Sequence, residues 1–133
     1  MRVAELMQQN VRTITSEASV AEAVLSLADA HVSGLPVVDN GGRMIGVVST
    51  SDVLTAEAEA ESRSLGRELL EETTVRDIMT PGPYTVTPDE DVREAARQML
   101  YADVHRLFVA EGDRLLGVVS TTDIVRAVAT GKL

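Results

Sequence analysis

The chain has 133 residues and carries 21 acidic against 12 basic side chains, a formal net charge of −9. That balance lacks the basic face that general binding to nucleic acid or anionic lipid requires. Cysteine is absent, which removes disulfides and thiolate metal sites, and no apolar run approaches the ~20 residues of a membrane span.

The leading segment, residues 3–8, reads as a short amphipathic helix with Val3, Leu6 and Met7 on one face. Residues 13–15 are a short extended piece. Ser19 is the expected N-cap of a helix over residues 20–30, with Glu22 completing a capping box. Val20, Ala23, Val24, Leu27 and Ala28 form its apolar stripe. Residues 35–38 are a strand with Pro36 near its start, residues 39–42 a hairpin turn, and residues 43–48 the partner strand. A helix follows from Ser51 and runs into an acidic connector over residues 55–74, where Leu65, Leu69 and Leu70 offer one apolar edge and Arg63 and Arg67 are outnumbered by acids such as Glu68.

The order then repeats. Residues 75–79 form a short helix stopped by Thr80-Pro81-Gly82-Pro83, and residues 85–87 are extended. A helix beginning among Pro88-Asp89-Glu90-Asp91 continues to Ala102, with acids at its positive end. Residues 106–110 and 114–119 make a second hairpin, and a last helix covers residues 122–129. The duplication is visible residue by residue: Met7 matches Met79, Thr13 and Thr15 match Thr85 and Thr87, and Leu35 and Val37 match Leu107 and Val109, each 72 residues apart. The heptads GVVSTSD, ending at Asp52, and GVVSTTD, ending at Asp123, stand 71 apart, so the second copy has lost one turn residue. The division expected is residues 1–54, the connector 55–74, and residues 75–133. The fold class is α/β of the α+β kind, two β-α-β-β-α units closed about a pseudo-twofold axis. Neither half alone buries a comfortable core.

In each heptad a β-branched run ends a strand and a hydroxyl-rich cluster opens a helix. Ser49 with Asp52, and Ser120 with Asp123, have the spacing of a capping box. The same helix N-termini present free N–H groups and partial positive charge, which suits an anion. Both readings of the aspartates stand at this point. No nucleophile elbow, HExxH, Walker or GxGxxG pattern appears, so catalysis finds no support, and the histidines at positions 31 and 105 do not make a metal site.

The doubled heptad, the Thr-x-Thr before each first helix, Val32-Ser33-Gly34-Leu35-Pro36-Val37-Val38-Asp39 and Val104-His105-Arg106-Leu107 resemble a tandem pair of CBS motifs, often called a Bateman module. The likeness covers nearly the whole chain outside the acidic connector. It implies two motifs packed as a disc, two clefts for adenosine-containing ligands such as AMP, ADP, ATP or S-adenosylmethionine, regulation rather than catalysis, and pairing of modules into a dimer. By the same likeness, one cleft holds Ser49 and Asp52 with Thr85, Thr87, His105 and Arg106. The other holds Ser120 and Asp123 with Thr13, Thr15, Val32, Ser33 and Gly34.

A carboxylate repels phosphate, so each aspartate is expected to read ribose hydroxyls while the phosphate finds cations and N–H groups. Arg106, with a planar charged fork, and His105 beside it favour the Asp52 cleft for the phosphate. Arg126, one turn after Asp123, is the competing cation. The chain is therefore read as a stand-alone, cytoplasmic regulatory module with an adenosine nucleotide as ligand, an effector protein of unknown kind as partner, and no nucleic acid or membrane. The alternative is a structural or interaction module with empty clefts. Apolar positions on the helices after each heptad (Val53, Leu54, Ile124, Val125, Val128) point to a homodimer.

Overall fold

The computed structural model describes residues 1–62 and 70–133. The expected apolar edge at Leu65 and Leu69, and the charges of Arg63, Arg67 and Glu68, lie outside the described residues. Two compact units emerge, Arg12–Pro83 and Met1–Val11 with Tyr84–Leu133.

The unit Arg12–Pro83 contains β1 (Ile14–Thr15), α1 (Val20–Ala30), β2 (Gly34–Val38), β3 (Met44–Ser49), α2 (Thr50–Ser62), α3 (Val75–Ile78) and β4 (Thr80–Pro81). Its sheet runs β1-β2-β3-β4, parallel at β1–β2 and antiparallel elsewhere. Helix α1 begins where Ser19 Oγ accepts the N–H of Glu22 at 3.1 Å. It ends at His31, which takes the left-handed conformation (φ 54°). Its buried stripe is Val20, Ala23 and Leu27, two residues narrower than the sequence suggests, since Val24 and Ala28 are exposed. The β2–β3 turn is held by Asp39, whose carboxylate accepts the N–H of Gly41 and of Arg43 at 2.9 Å each. The Arg43 N–H, first among these donors, holds the Asp39 carboxyl below its ordinary pKa.

Pro36 is the third residue of β2, opposite Val47, rather than near the strand's start. The missing N–H is tolerated because β1 pairs only with Val37 and Val38 and does not reach Pro36. The strand β4 was not expected: Thr80 and Pro81 do stop α3, and they also pair with Val47 and Gly46.

The other unit repeats this plan with β5 (Thr85–Val86), α4 (Val92–Ala102), β6 (Arg106–Glu111), β7 (Arg114–Ser120) and α5 (Thr121–Ala129). Its sheet order is β5-β6-β7. Asp91 caps α4 by accepting the Arg93 N–H at 2.8 Å, and Asp103 closes it in the left-handed conformation (φ 54°) just as His31 closes α1.

The leading segments are exchanged. Residues 1–8 begin the first sequence repeat but pack in the unit of the second. Val3 N–H donates to Glu90 O at 2.8 Å, Val92 N–H to Met1 O at 2.9 Å, and Gln8 and Val118 exchange two backbone bonds of 2.9 Å. Only a 3-10 turn, Val3–Glu5, forms there instead of a helix over residues 3–8. In the mirror case, Val75 N–H donates to Ala18 O at 2.8 Å and Arg76 N–H to Ser16 O at 3.0 Å. Val3 and Val75 are fully buried as a result, each in the aliphatic core of the unit it joins.

Candidate functional site

Both capping boxes form. Ser49 N–H and Oγ–H donate to Asp52 Oδ2 at 2.9 and 3.0 Å, while Asp52 N–H donates to Ser49 Oγ at 3.2 Å. Ser120 N–H donates to Asp123 Oδ2 at 2.9 Å, and Asp123 N–H to Ser120 Oγ at 3.1 Å. Each box occupies one carboxylate oxygen, Oδ2.

A side chain of the docked leading segment meets each Oδ1. Thr80 Oγ1 donates to Asp52 Oδ1 at 3.3 Å, and Gln8 Nε2 donates to Asp123 Oδ1 at 3.3 Å. Gln8 and Thr80 are counterparts in the two repeats, so the leader exchange supplies both donors. Arg126 Nη1 also lies 3.7 Å from Asp123 Oδ1. Asp123 is only 6% exposed, against a partly buried Asp52.

A cavity of about 290 Å³ opens beside Asp123. Leu6 and Ala127 supply its apolar lining, and Gln8, Arg126, Thr130 and Lys132 join Asp123 in the polar part. Sequence reasoning named Asp123 and Arg126 and missed Gln8, Thr130 and Lys132. The signal for Lys132 was present: 71 residues earlier the first repeat has Glu61.

The remaining expected residues divide between the units. Thr13, Thr15, Val32, Ser33 and Gly34 lie with Ser49 and Asp52; Thr85, Thr87, His105 and Arg106 lie with Ser120, Asp123 and Arg126. Each expected cleft draws on both units, whereas the contacts seen within a unit join a heptad to the hairpin of its own repeat. Thr50 N–H donates to Ser33 O, and Thr121 N–H to His105 O, both at 2.9 Å. Gly34 is in register with Ser49 and Arg106 with Ser120. Thr13, Thr15, Thr87, His105 and Arg106 are exposed, and Val32 and Thr85 half-buried. Among the described residues no cluster of three potential metal ligands occurs, and no helix is long and apolar enough to cross a membrane.

The CBS domain family matches residues 3–59 and 75–130. A CBS domain-containing protein of Arabidopsis thaliana, CBSX2, chloroplastic, is 30% identical over 90% of this chain and 59% of its own length. An uncharacterized Methanocaldococcus jannaschii protein, MJ1225, is 28% identical over 93% of this chain and 41% of its own. The gamma-3 subunit of the Sus scrofa 5'-AMP-activated protein kinase is 31% identical over 90% of this chain and 23% of its own. The chain thus spans less than two thirds of the length of these curated relatives. Among solved structures, CBSX2 in complex with AMP superposes with a TM-score of 0.83 at 29% identity, covering 99% of this chain and 98% of that one. The paired domains of MJ0100, in complex with 5-methylthioadenosine and S-adenosyl-L-methionine, give 0.76 at 26% identity, covering 99% and 98%.

Proposed function

Because the chain belongs to the CBS domain family, we propose that it is a regulatory module that binds adenosine-containing ligands and catalyses no reaction itself. The observation that carries this reading is the geometry of the two aspartates. Each is fixed by its own cap through Oδ2 and holds Oδ1 toward polar side chains. An oriented carboxylate oxygen is the acceptor that a ribose hydroxyl requires, and pre-fixing it lowers the ordering cost of binding. The AMP, methylthioadenosine and S-adenosylmethionine held by the two solved neighbours support the same ligand class.

The ligand-contacting set proposed comprises Ser49, Asp52, Ser120, Asp123 and Arg126, together with Thr13, Thr15, Val32, Ser33, Gly34, Thr85, Thr87, His105 and Arg106. Binding is read out to an effector protein, in a cytoplasmic setting. Calorimetric titration with AMP, ADP, ATP, S-adenosylmethionine and NAD tests this. Saturable binding of at least one adenosine compound is expected, and heatless titrations across the set would favour the purely structural reading.

A homodimer belongs to the same proposal. Leu54, Val125 and Val128 stay 69%, 65% and 57% exposed on the helices after the heptads, and Leu25, Leu100 and Tyr101 are exposed by 70%, 83% and 93% on α1 and α4. Single exposed apolar residues are ordinary, and it is their number on the helices of each unit that supports pairing of copies. Light scattering at micromolar concentration is expected to give twice the chain mass; a value near 14.2 kDa would remove the dimer.

A further inference from the structure

We infer that copies of this chain pair through unlike units, the α2 face of one against the α4 face of the other, because the two faces carry opposite charge. The inference rests on the homodimer proposed above and deepens it by fixing which surfaces meet. On α4, Arg93, Arg97, Leu100 and Tyr101 are all exposed, and their steps of three and four residues set them on one stripe. Arg97 reaches back to Glu94 at 2.8 Å, while Arg93 makes no ion pair among the described residues. On α2, Leu54, Glu57 and Ala58 are exposed on one stripe by the same spacing. Each stripe joins charge to apolar surface, cationic on α4 and anionic on α2.

The opposition runs through the helices as wholes. In the unit Arg12–Pro83, α1 and α2 pack side by side and carry six acidic residues and no basic one. In the other unit, α4 and α5 pack likewise and carry three arginines against two acids. The two repeats differ at the positions that matter: 72 residues before Arg93, Arg97 and Tyr101 stand Ala21, Leu25 and Asp29, and 71 residues after Glu57 stands Val128. Asp29 is not a free anion, since Arg12 holds it at 2.6 Å, so Glu57 on α2 carries the argument. Like units brought together would set Glu57 near its own copy, or Arg93 and Arg97 near theirs. Like charges facing across an interface are penalised, whereas a cationic face against an anionic one attracts. A twofold axis repeats the α2–α4 contact, so each copy gives one face and receives on the other.

Sedimentation equilibrium of wild type, Arg93→Glu, Glu57→Arg and the two substitutions together tests the pairing. Each reversal alone is expected to weaken dimerisation by about tenfold, and the two together to bring it back near wild type. Pairing of like units predicts otherwise, because each reversal then only exchanges one like-charge pair for another and leaves the dimer unchanged. The chain has no cysteine, so single thiols at exposed positions report the contact directly. Leu54→Cys mixed with Leu100→Cys is expected to give a mixed disulfide-linked dimer on addition of diamide, and neither variant alone a linked dimer. Linked dimers of either cysteine variant alone without the mixed species, or a dimer that both charge reversals leave intact, overturn the unlike pairing while the homodimer survives. A wild type that stays monomeric removes both.

Discussion

Replacing Gly117 by valine is expected to destabilise the protein by about 1–3 kcal/mol, the range for forcing extra carbon atoms into a filled space. Strand propensity alone gives the opposite sign, because valine suits a strand and glycine weakens one. The backbone decides the matter. A Cβ at Gly117 would lie 2.7 Å from Gln8 O and 3.0 Å from Met7 Sδ. A methionine side chain can move aside, but Gln8 O is a carbonyl in a two-way backbone pairing with Val118. Relieving the contact therefore means undocking the leading segment, which also takes Gln8 away from Asp123. Gly46 is the counterpart, with Thr80 O 2.7 Å from its would-be Cβ, and Gly46→Val is expected to behave alike. Urea unfolding of the two variants is the measurement. A midpoint at or above wild type would mean that the leaders do not lie against the strands as described.

These glycines also mark where local reasoning ran out. The α1 and α4 boundaries, the hairpins and the serine–aspartate caps were legible because each is specified by neighbours within four or five residues. The stripe Val92, Ala95, Met99 and the cap Asp91 sit in one short window. The exchange of leading segments is specified by no such window. Val3 and Val75 look alike as sequence, and their partners lie dozens of residues away, so either sheet could have claimed either leader.

The pairing of Thr80 and Pro81 with β3 was hidden for the same reason, behind a motif that reads correctly as a helix stop. A glycine in the middle of each heptad strand was the available hint, since it permits another backbone to approach closely. At the site, the aspartates were legible and their companions were not. Gln8 and Thr80 reach them only through the exchange, whereas Lys132 could have been found by setting the ends of the two repeats side by side.

Asp123→Ala is expected to separate the two roles that the sequence left open for the heptad acid. As the third-position partner of the capping box, the carboxylate satisfies Ser120 N–H at 2.9 Å, and its removal is expected to cost about 0.5–1.5 kcal/mol of stability, the net worth of a hydrogen bond. As a ribose reader, it would in addition contribute about 1.5–3 kcal/mol to binding, the worth of hydrogen bonds to a charged acceptor. Stability alone does not distinguish the roles, because both predict a loss. The sugar does. Wild type is expected to prefer adenosine to 2′-deoxyadenosine by about tenfold, and Asp123→Ala to bind the two alike. Asp123→Asn sharpens the comparison: its amide oxygen still accepts the Ser120 N–H, so the cap persists, while the net charge that strengthens the bond to the sugar is gone. It is expected to unfold close to wild type yet to have lost most of the preference for adenosine. Should Asp123→Ala keep the full preference, the ribose is read elsewhere and Asp123 is a helix cap alone. The same pair of ligands applied to Asp52→Ala asks the question of the first repeat, where Thr80 replaces Gln8 at Oδ1 and Thr55 stands in place of Arg126.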